Sequence, residues 1–290
     1  MAPLKRGLQQ GSSLRTNPAM ATSQAPVLFD RATLRARQAR AVKQGAATFM
    51  RDRVGNDLVD RLQAVLRKFD SPVDIGTAGG LVGFPHLDLP DDETIGLPLA
   101  PASIDLAVSA LAFQLVNDLP GVLTQIRRAL KPDGLLLAAM LGGDTLTELR
   151  QSFAAAETEI EGGVSPRVAP FADLRDVGAL LQRAGFALPV TDVDRLVVRY
   201  DSAFALMKDL RAMGATNVLV ERRRTPLRRA TLLRMAEIYA ERFADPDGRI
   251  RSTFDVIWLS AWAPHESQQK PLKPGSAKAS LADAVRATKT

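Results

Sequence analysis

An aspartate and a glycine-rich turn stand at the end of a short apolar run in residues 72–80, which read PVDIGTAGG. Glycine lets the backbone approach a ligand closely and leaves its amide groups free to donate hydrogen bonds. The aspartate would lie at the carboxyl end of a strand, where open α/β sheets bind their ligands. The pattern is short, and a tight structural turn explains it equally well. Its members are Asp74, Gly76, Ala78, Gly79 and Gly80.

The other reactive residue types exclude several kinds of catalytic site. The chain has no cysteine, which excludes disulfides, thiolate metal sites and cysteine nucleophiles. It has two histidines, His86 and His265, so a three-histidine metal site is impossible. A serine hydrolase built on a G-x-S-x-G turn is not expected, because the chain lacks that motif. No pair of groups stands out as acid and base, so the catalytic residues are unknown at this point.

The chain is basic, with a formal net charge of +6 and a sequence pI of 9.9. The excess arginine falls in two regions, residues 31–53 and residues 222–234. These regions are either solvated helix faces or a surface for an acidic partner. Neither contains tryptophan or tyrosine, which argues against stacking on a single-stranded nucleic acid. We therefore do not expect a nucleic acid as partner.

The two ends of the chain differ in composition from its body. Residues 1–29 are basic and contain no acidic residue, as in a mitochondrial transit peptide, but prolines interrupt any long helix there. We expect residues 1–27 to be a disordered extension or to result from a start assigned upstream of Met20. Residues 28–263 are expected to form the domain and residues 264–290 a polar tail. No run approaches the ~18–20 apolar residues of a membrane span, so no transmembrane segment is expected.

The body alternates between apolar runs and amphipathic segments, which predicts a mostly parallel sheet covered on both faces and hence an α/β fold. Asp144 or Thr145 is expected to cap the third helix of this body. Residues 131–134 are expected to form a turn. The predicted strands are 73–75, 104–110, 135–141, 252–264 and two short ones within 186–200. The predicted helices are 30–69, 120–130, 142–160, 173–184, 202–214 and 231–243.

The order of these segments resembles class I S-adenosylmethionine-dependent methyltransferases of the type-11 kind. The resemblance rests on the glycine turn, on LPLAPASIDLAVSALAFQLVNDLP and on IRRALKPDGLLL, within residues 70–145. It implies a Rossmann-like sheet with helices on both faces, an N-terminal helix and C-terminal helical additions. It also implies S-adenosylmethionine as the cofactor and methylation as the reaction of the wider family.

The second half narrows the resemblance to one branch of that family. GGDTLTELR, AETEIEGGVSPRVAPFADLRDVGALLQRAGF, LMKDLRAMGATN and WAPHESQQKPLKPGSA are similar to the mitochondrial complex I assembly arginine hydroxylases and their alphaproteobacterial relatives. The sequence also resembles a related enzyme, the malonyl-carrier-protein methyltransferase of biotin synthesis. The resemblance implies a protein substrate or a respiratory complex I subunit as partner. It also implies where the protein is located: in the cytoplasm of a bacterium, at the inner membrane, or in the mitochondrial matrix of a eukaryote.

The sequence departs from the family pattern after the first strand. The family follows its glycine turn with a helix, a second strand that ends in a ribose-binding acid, and another helix. Here only the twelve residues 81–92 stand between Gly80 and Glu93, too few for two helices and a strand. We expect the ribose-binding strand to be missing, with Asp88 as its substitute acid. The alternative function is therefore a non-catalytic assembly or scaffold protein that has lost S-adenosylmethionine binding.

Two single positions also depart from the family. Ala78 replaces the middle glycine of the turn, and Gln114 with Leu115 replaces a family His-Trp pair. The resemblance still assigns a cofactor site, with acidic residues near the adenine and a segment after the third family strand. The cofactor-binding residues that it implies are Asp74, Gly76, Ala78, Gly79, Gly80, Asp92, Glu93, Leu97, Ser109, Ala110 and Leu111.

Overall fold

Six strands form one sheet in the computed structural model, which describes residues 27–92 and 95–269. In chain order they are β1 (Pro72–Ile75), β2 (His86–Leu87), β3 (Ile104–Ala110), β4 (Leu130–Leu141), β5 (Ala187–Tyr200) and β6 (Ile250–Trp262). Across the sheet they lie in the order β2-β1-β3-β4-β6-β5. The first four pair in parallel, and β6 runs antiparallel to both of its neighbours. The predicted mostly parallel α/β sheet is confirmed.

Helices cover both faces of this sheet. On one face, α3 and α5 pack against the buried side of β3, β4 and β6. On the other, α2 packs against β3 and β4 through a separate apolar cluster. The described helices are α1 (Arg31–Lys43), α2 (Phe49–Gln63), α3 (Leu119–Ala129), α4 (Thr147–Glu161), α5 (Leu174–Arg183), α6 (Ala203–Ala212) and α7 (Arg229–Phe243).

The local sequence explains why α3 begins where it does. Asp118 precedes the helix, and its carboxylate accepts a hydrogen bond from the backbone amide of Gly121 at 2.9 Å. Pro120 stands in the first turn, where its missing amide costs no hydrogen bond. The helix buries an apolar stripe against the sheet, formed by Val122, Leu123 and Ile126. The predicted helix at 120–130 is confirmed.

Beyond the carboxyl end of β4, α4, α6 and α7 form a second apolar core with part of β6. This helical addition accounts for much of the chain's second half. The predicted helices at 173–184, 202–214 and 231–243 correspond to α5, α6 and α7 and are confirmed. The side chains that fill this second core include Phe153, Leu206, Met235, Tyr239 and Phe254.

The prediction of one helix over residues 30–69 is wrong. The structure has two helices, α1 and α2, separated by residues 44–48. Gly45 has a φ of +86° in this break, a conformation that glycine adopts without strain and that ends a helix. The second helix also stops at Gln63, earlier than predicted.

The predicted helix at 142–160 begins later than expected, and its predicted cap is wrong. α4 starts at Thr147, after Leu146 with a φ of +54°, and no side chain caps it. Asp144 instead pairs with Arg195 at 2.5 Å, and the hydroxyl of Thr145 accepts from the amide of Asp255 at 3.1 Å. Both side chains are thus held by partners far away in the sequence, which local capping rules cannot anticipate.

Two predictions about strands are also wrong. Residues 186–200 form the single long strand β5, whose register with β6 shifts between Ala187 and Val190. Leu188 there has a φ of +49°, so the start of the strand is irregular, but the strand continues without a break to Tyr200. Residues 131–134 lie within β4, although Asp133 has a φ of +61°.

Three of the six arginines in the segment 222–234 form ion pairs within the molecule. Arg222 contacts Asp30 at 3.0 Å, and Arg223 contacts Glu161. Arg234 reaches three carboxylates, those of Glu159, Glu237 and Glu241. These contacts favour the interpretation of this segment as part of the folded domain over that of a free basic patch.

The predicted N-terminal extension, apart from Val27, and most of the predicted tail lie outside the described residues. None of the helices in the described ranges has the length and apolar character needed to cross a membrane.

Candidate functional site

The candidate site lies at the carboxyl ends of β1 and β3. The chain continues from β1 to β2 on one side of the sheet and from β3 to β4 on the other. Such a reversal of strand order leaves a crevice between the two strand ends, where doubly wound α/β proteins bind their ligands. The glycine turn that follows β1 therefore stands at the position that this rule assigns to a ligand.

Asp74 organises this turn from a fully buried position. Its Oδ1 accepts a hydrogen bond from the hydroxyl of Thr77 at 2.5 Å, and its Oδ2 accepts from the amide of Leu81 at 3.0 Å. The hydroxyl of Thr77 in turn accepts from the amide of Ala110, at the end of β3, at 2.9 Å. A single carboxylate thus ties both ends of the turn together and joins the turn to the neighbouring strand.

The turn depends on its glycines because of both conformation and space. Gly76, Gly79 and Gly80 all have φ values between +74° and +80°, a region that other residues rarely adopt. A Cβ at Gly76 would lie 2.6 Å from Cδ1 of Leu89, which is a clash. Ala78 is exposed and has no such φ, so the alanine that departs from the family pattern fits this turn.

Arg51 lies over the glycine turn, and sequence analysis placed it only in a basic region. Its Nη1 donates to the carbonyl of Ala78 at 2.9 Å, and a Cβ at Gly79 would lie 2.9 Å from the same nitrogen. The side chain comes from α2 and is about one-third exposed. A guanidinium therefore stands beside the turn, within reach of an anionic ligand group.

The expectation that residues 81–92 contain no strand is wrong. His86 and Leu87 form β2, a short strand that pairs in parallel with Asp74 and Ile75 of β1. Asp88 follows it directly, and its side chain is 86% exposed. The crossover helix is missing, but an acid at the carboxyl end of the second strand is retained.

His86 connects the two acids of the site. Its Nδ1 lies 2.8 Å from Oδ2 of Asp74, and its Nε2 lies 3.1 Å from Oδ1 of Asp88. Burial alone lowers the pKa of His86, but the two hydrogen-bonded carboxylates outweigh that effect and raise it above the usual 6.5. Sequence analysis missed this role; the only available signal was the spacing of His86 two residues before Asp88.

The predicted residues at the end of β3 and just after it make hydrogen bonds within the protein. The hydroxyl of Ser109 is buried and donates to the carbonyl of Ile75 at 2.7 Å. Leu111 has a φ of +55°, and its carbonyl accepts from Nε2 of Gln114 at 2.7 Å. The structure thus brings Ser109, Ala110 and Leu111 beside the glycine turn, and Gln114 steadies the last of them.

Leu97, one of the residues predicted to bind the cofactor, lines only a small cleft. An apolar cleft of about 10 Å³ lies between Leu89 and Leu97, far below the ~300 Å³ of a typical ligand pocket. The amide of Leu97 donates to Oε1 of Gln125 at 2.6 Å. Asp92 accepts from the amide of Ile95 through its backbone carbonyl at 3.0 Å. The predicted residue Glu93 lies outside the described residues.

A second polar cluster lies where β4, β5 and β6 meet the turn before α4. Arg195 donates to both carboxylate oxygens of Asp255, at 2.8 and 2.9 Å, and also pairs with Asp144. Its hydrogen bonds to Asp255 and then to Asp144 raise the pKa of Arg195, so the group stays charged. In the described ranges, no cluster of three His, Asp or Glu side chains is arranged to hold a metal ion.

The sheet order and the glycine turn define a methyltransferase-like α/β protein, and residues 39–138 match the methyltransferase domain family. The arginine-hydroxylase NDUFAF5, mitochondrial, of Rattus norvegicus is 35% identical and covers 98% of this chain and 92% of its own length. Its Homo sapiens counterpart is 36% identical and covers 88% of this chain and 83% of its own length. The chain belongs to the family of these arginine-hydroxylase NDUFAF5 proteins.

Two further similarities cover a smaller share of this chain. The malonyl-[acyl-carrier protein] O-methyltransferase of Laribacter hongkongensis is 42% identical over 62% of this chain and 58% of its own length. The crystal structure of a putative methyltransferase from Bacillus halodurans has a TM-score of 0.46 and 13% identity, covering 72% of this chain and all of that one. The resemblance to the arginine hydroxylase branch and to its carrier-protein cousin is confirmed.

Proposed function

We propose that this protein binds S-adenosylmethionine in the crevice between β1 and β3 and modifies an arginine side chain during assembly of respiratory complex I. The observation that carries the proposal is the similarity to arginine hydroxylases over almost the whole chain. The names of those relatives state hydroxylation of arginine and a mitochondrial location. For this chain we propose the same class of substrate, an arginine in a complex I subunit, at the matrix or cytoplasmic side of the membrane.

Asp88 is the proposed partner of the ribose hydroxyls. In dinucleotide-binding folds an acid after the second strand accepts hydrogen bonds from the ribose. Asp88 stands directly after β2, and its exposed carboxylate keeps one oxygen, Oδ2, away from His86. Because the ribose hydroxyls can donate to this carboxylate, Asp88 supports a ribose site despite the short connection between β1 and β2.

Arg51 and the glycine turn are the proposed partners of the amino-acid end of the ligand. A guanidinium binds a carboxylate through two parallel hydrogen bonds, which is among the strongest pairings available to a side chain. Arg51 already lies against the turn through the carbonyl of Ala78. When bound, S-adenosylmethionine supplies a methyl group on an electrophilic sulfonium centre; the residues named here bind and orient it.

The apolar cleft between Leu89 and Leu97 is the proposed adenine side. Its present volume of about 10 Å³ cannot hold a purine, so binding requires the lining side chains to move apart. Ile95, which is 61% exposed, lines the same cleft. We propose that the side chains of Leu89, Ile95 and Leu97 move apart on binding, while the Asp74 network keeps the glycine turn in place.

The experiment that tests this function combines the protein with isolated complex I subunits from cells that lack it. The incubation contains S-adenosylmethionine as methyl donor, dioxygen as the source of an oxygen atom, and cell extract as the source of the two electrons that reduce the second oxygen atom to water. Mass spectrometry of arginine peptides then detects either an added methyl group or an added oxygen atom. A new modification at one arginine, absent with an Asp88→Ala variant, supports the proposal. Unmodified arginines together with normal subunit binding would instead favour the non-catalytic assembly protein.

A further inference from the structure

His86 stands between two carboxylates, and its position follows from the pairing of β1 with β2. It lies directly opposite Asp74 in the parallel register of these strands, so the two side chains share one face of the sheet. Asp88 comes two residues later, and residues two apart along an extended chain point to the same side. The register thus brings one imidazole ring within reach of a carboxylate on either side.

The histidine is fixed to the glycine turn by its backbone and by its ring. The backbone carbonyls on either side of His86 accept hydrogen bonds from the amides of Asp74 and Gly76, both at 2.8 Å. The ring packs on the turn, because a Cβ at Gly80 would lie 3.5 Å from Cγ of His86. Nδ1 of the ring also lies 2.8 Å from Oδ2 of the fully buried Asp74. His86 is therefore a rigid part of the turn.

Asp88 depends on the histidine for its own position. Its side chain is 86% exposed. In the part of the chain that the structure describes, Nε2 of His86, at 3.1 Å, is the hydrogen-bond partner of its carboxylate. An exposed side chain that nothing holds samples several rotamers, and fixing one of them on binding opposes the binding. A rigid donor that fixes the carboxylate in advance removes that cost.

We propose that the ring of His86 holds the carboxylate of Asp88 in position for the ribose hydroxyls of the ligand. This inference rests on the proposed function, in which Asp88 is the partner of the ribose. The ring binds Oδ1 of Asp88 and leaves Oδ2 open to accept from the ligand. His86 is thus a positioning residue, which acts on the ligand through Asp88.

Both contacts of the ring require a proton on each of its nitrogens, because an ionised carboxylate accepts hydrogen bonds and cannot donate one. A neutral imidazole has one N–H, and the buried Asp74 would lose more than the exposed Asp88 without its donor. The neutral ring therefore keeps its proton on Nδ1, turns a lone pair of Nε2 toward Asp88 and releases that carboxylate. Burial lowers the pKa of His86, but the hydrogen bonds to both carboxylates outweigh it and raise the pKa above its usual 6.5. Ligand binding should be tightest below about pH 6.5 and weaken as pH rises through the raised pKa.

The charged groups around the ring come from both strands and from two helices. Asp74 of β1 and Asp88 after β2 bind the ring directly. From α2, the guanidinium of Arg51 lies against the glycine turn. From α1, Arg35 pairs with Asp91 at 3.0 Å. Both arginines keep their charge at every pH that the protein tolerates. Among these kinds of group, an imidazole is the one that titrates near neutral pH.

Two substitutions of His86 separate its two hydrogen bonds. His86→Asn places an amide where Nδ1 stands and loses the bond to Asp88, whereas His86→Gln reaches the position of Nε2 and can donate to Asp88 at every pH. Isothermal titration calorimetry with S-adenosylhomocysteine measures the affinity of the full chain and of both variants. At about pH 6, His86→Asn should bind about fivefold more weakly than wild type, and His86→Gln about as tightly as wild type. At about pH 9, wild type should fall to the affinity of His86→Asn, and His86→Gln should bind about fivefold more tightly than both. Titration of the ligand itself affects all three proteins alike and cancels in these ratios.

A double-mutant cycle distinguishes positioning of Asp88 from support of the fold. When Asp88→Asn is already present, adding His86→Asn should change the affinity by less than about twofold, because the histidine acts through that carboxylate. Equal losses with and without Asp88→Asn would show that His86 only supports the turn and would overturn the proposal. A ratio of His86→Asn to wild-type affinity that is the same at both pH values would also overturn it, with the cofactor site itself intact. If wild type bound no S-adenosylhomocysteine at either pH, the proposed cofactor site would fail, and this role of His86 with it.

Discussion

The ring of His86 bridges two carboxylates, with Nδ1 at 2.8 Å from Asp74 and Nε2 at 3.1 Å from Asp88. Asp74 is fully buried, whereas Asp88 is almost fully exposed. When both ring nitrogens carry a proton, each can donate to one of these carboxylates. The bridge therefore links the glycine turn to the acid after the second strand, across a connection that lacks its helix.

The bridge predicts a specific pH dependence of stability. The pKa of His86 is raised in the folded protein above its usual 6.5, so the folded state binds the proton more tightly. Its contribution to the free energy of unfolding is fully present below about pH 6.5 and is lost as pH rises through the raised pKa. Urea unfolding of wild type and of His86→Asn should therefore differ most below about pH 6.5. If the difference in free energy of unfolding between the two proteins stayed constant between about pH 6 and pH 9, this account would be contradicted. His265 is present in both proteins, so its titration does not contribute to the difference.

Asp74 and Asp88 should differ in their effect on folding. Asp74→Asn leaves one acceptor oxygen for three hydrogen-bond donors, one buried and two partly buried, so the free energy of unfolding should fall by about 3 kcal/mol. Asp88→Asn changes an exposed side chain and should cost less than about 1 kcal/mol. Urea titration of the two variants measures both values. Equal losses would show that Asp74 does not organise the turn.

Arg51 should matter for ligand binding more than its neighbour on the same helix. Arg51→Gln removes the guanidinium beside the glycine turn and should weaken S-adenosylmethionine binding by about tenfold or more. Arg53→Gln is the matched control, because Arg53 is exposed and pairs with Asp57 one turn along α2. Isothermal titration calorimetry compares the two. Similar affinities for both variants would remove Arg51 from the proposed site.

The second polar cluster should support folding. Arg195→Met leaves the buried carboxylate of Asp255 without its main partner and should lower the free energy of unfolding by about 2 kcal/mol, because the arginine itself is half exposed. Arg249→Met breaks an exposed pair with Asp201 and should cost less than about 1 kcal/mol. Urea titration at neutral pH compares them. If both changes were neutral, the cluster would be free to serve a ligand instead.

Local sequence signals predicted the parts of the fold whose causes are local. The fully buried run of β3 and the helix α3, with Pro120 in its first turn, both follow from a few adjacent residues. The short strand β2 has only two residues, which is below the length at which alternation is detectable. It forms because β1 offers it a parallel partner, a long-range cause that no local pattern contains.

The same distinction applies to the candidate site. The glycine turn was found because its spacing is a short sequence motif, and Asp88 because an acid was sought in the shortened segment. Arg51 was missed because it comes from a helix more than twenty residues before the turn. The cap expected from Asp144 was wrong because α4 begins only at Thr147, and the carboxylate of Asp144 pairs with the distant Arg195.

The central claim is that this shortened site still binds S-adenosylmethionine. The most direct test is isothermal titration calorimetry of the full chain with S-adenosylmethionine and S-adenosylhomocysteine, repeated with Asp88→Ala and with the control Asp201→Ala, whose exposed carboxylate pairs with Arg249. The account predicts a Kd on the order of micromolar for wild type and the control, and at least a ~10-fold loss for Asp88→Ala. An absence of heat at millimolar ligand would contradict it.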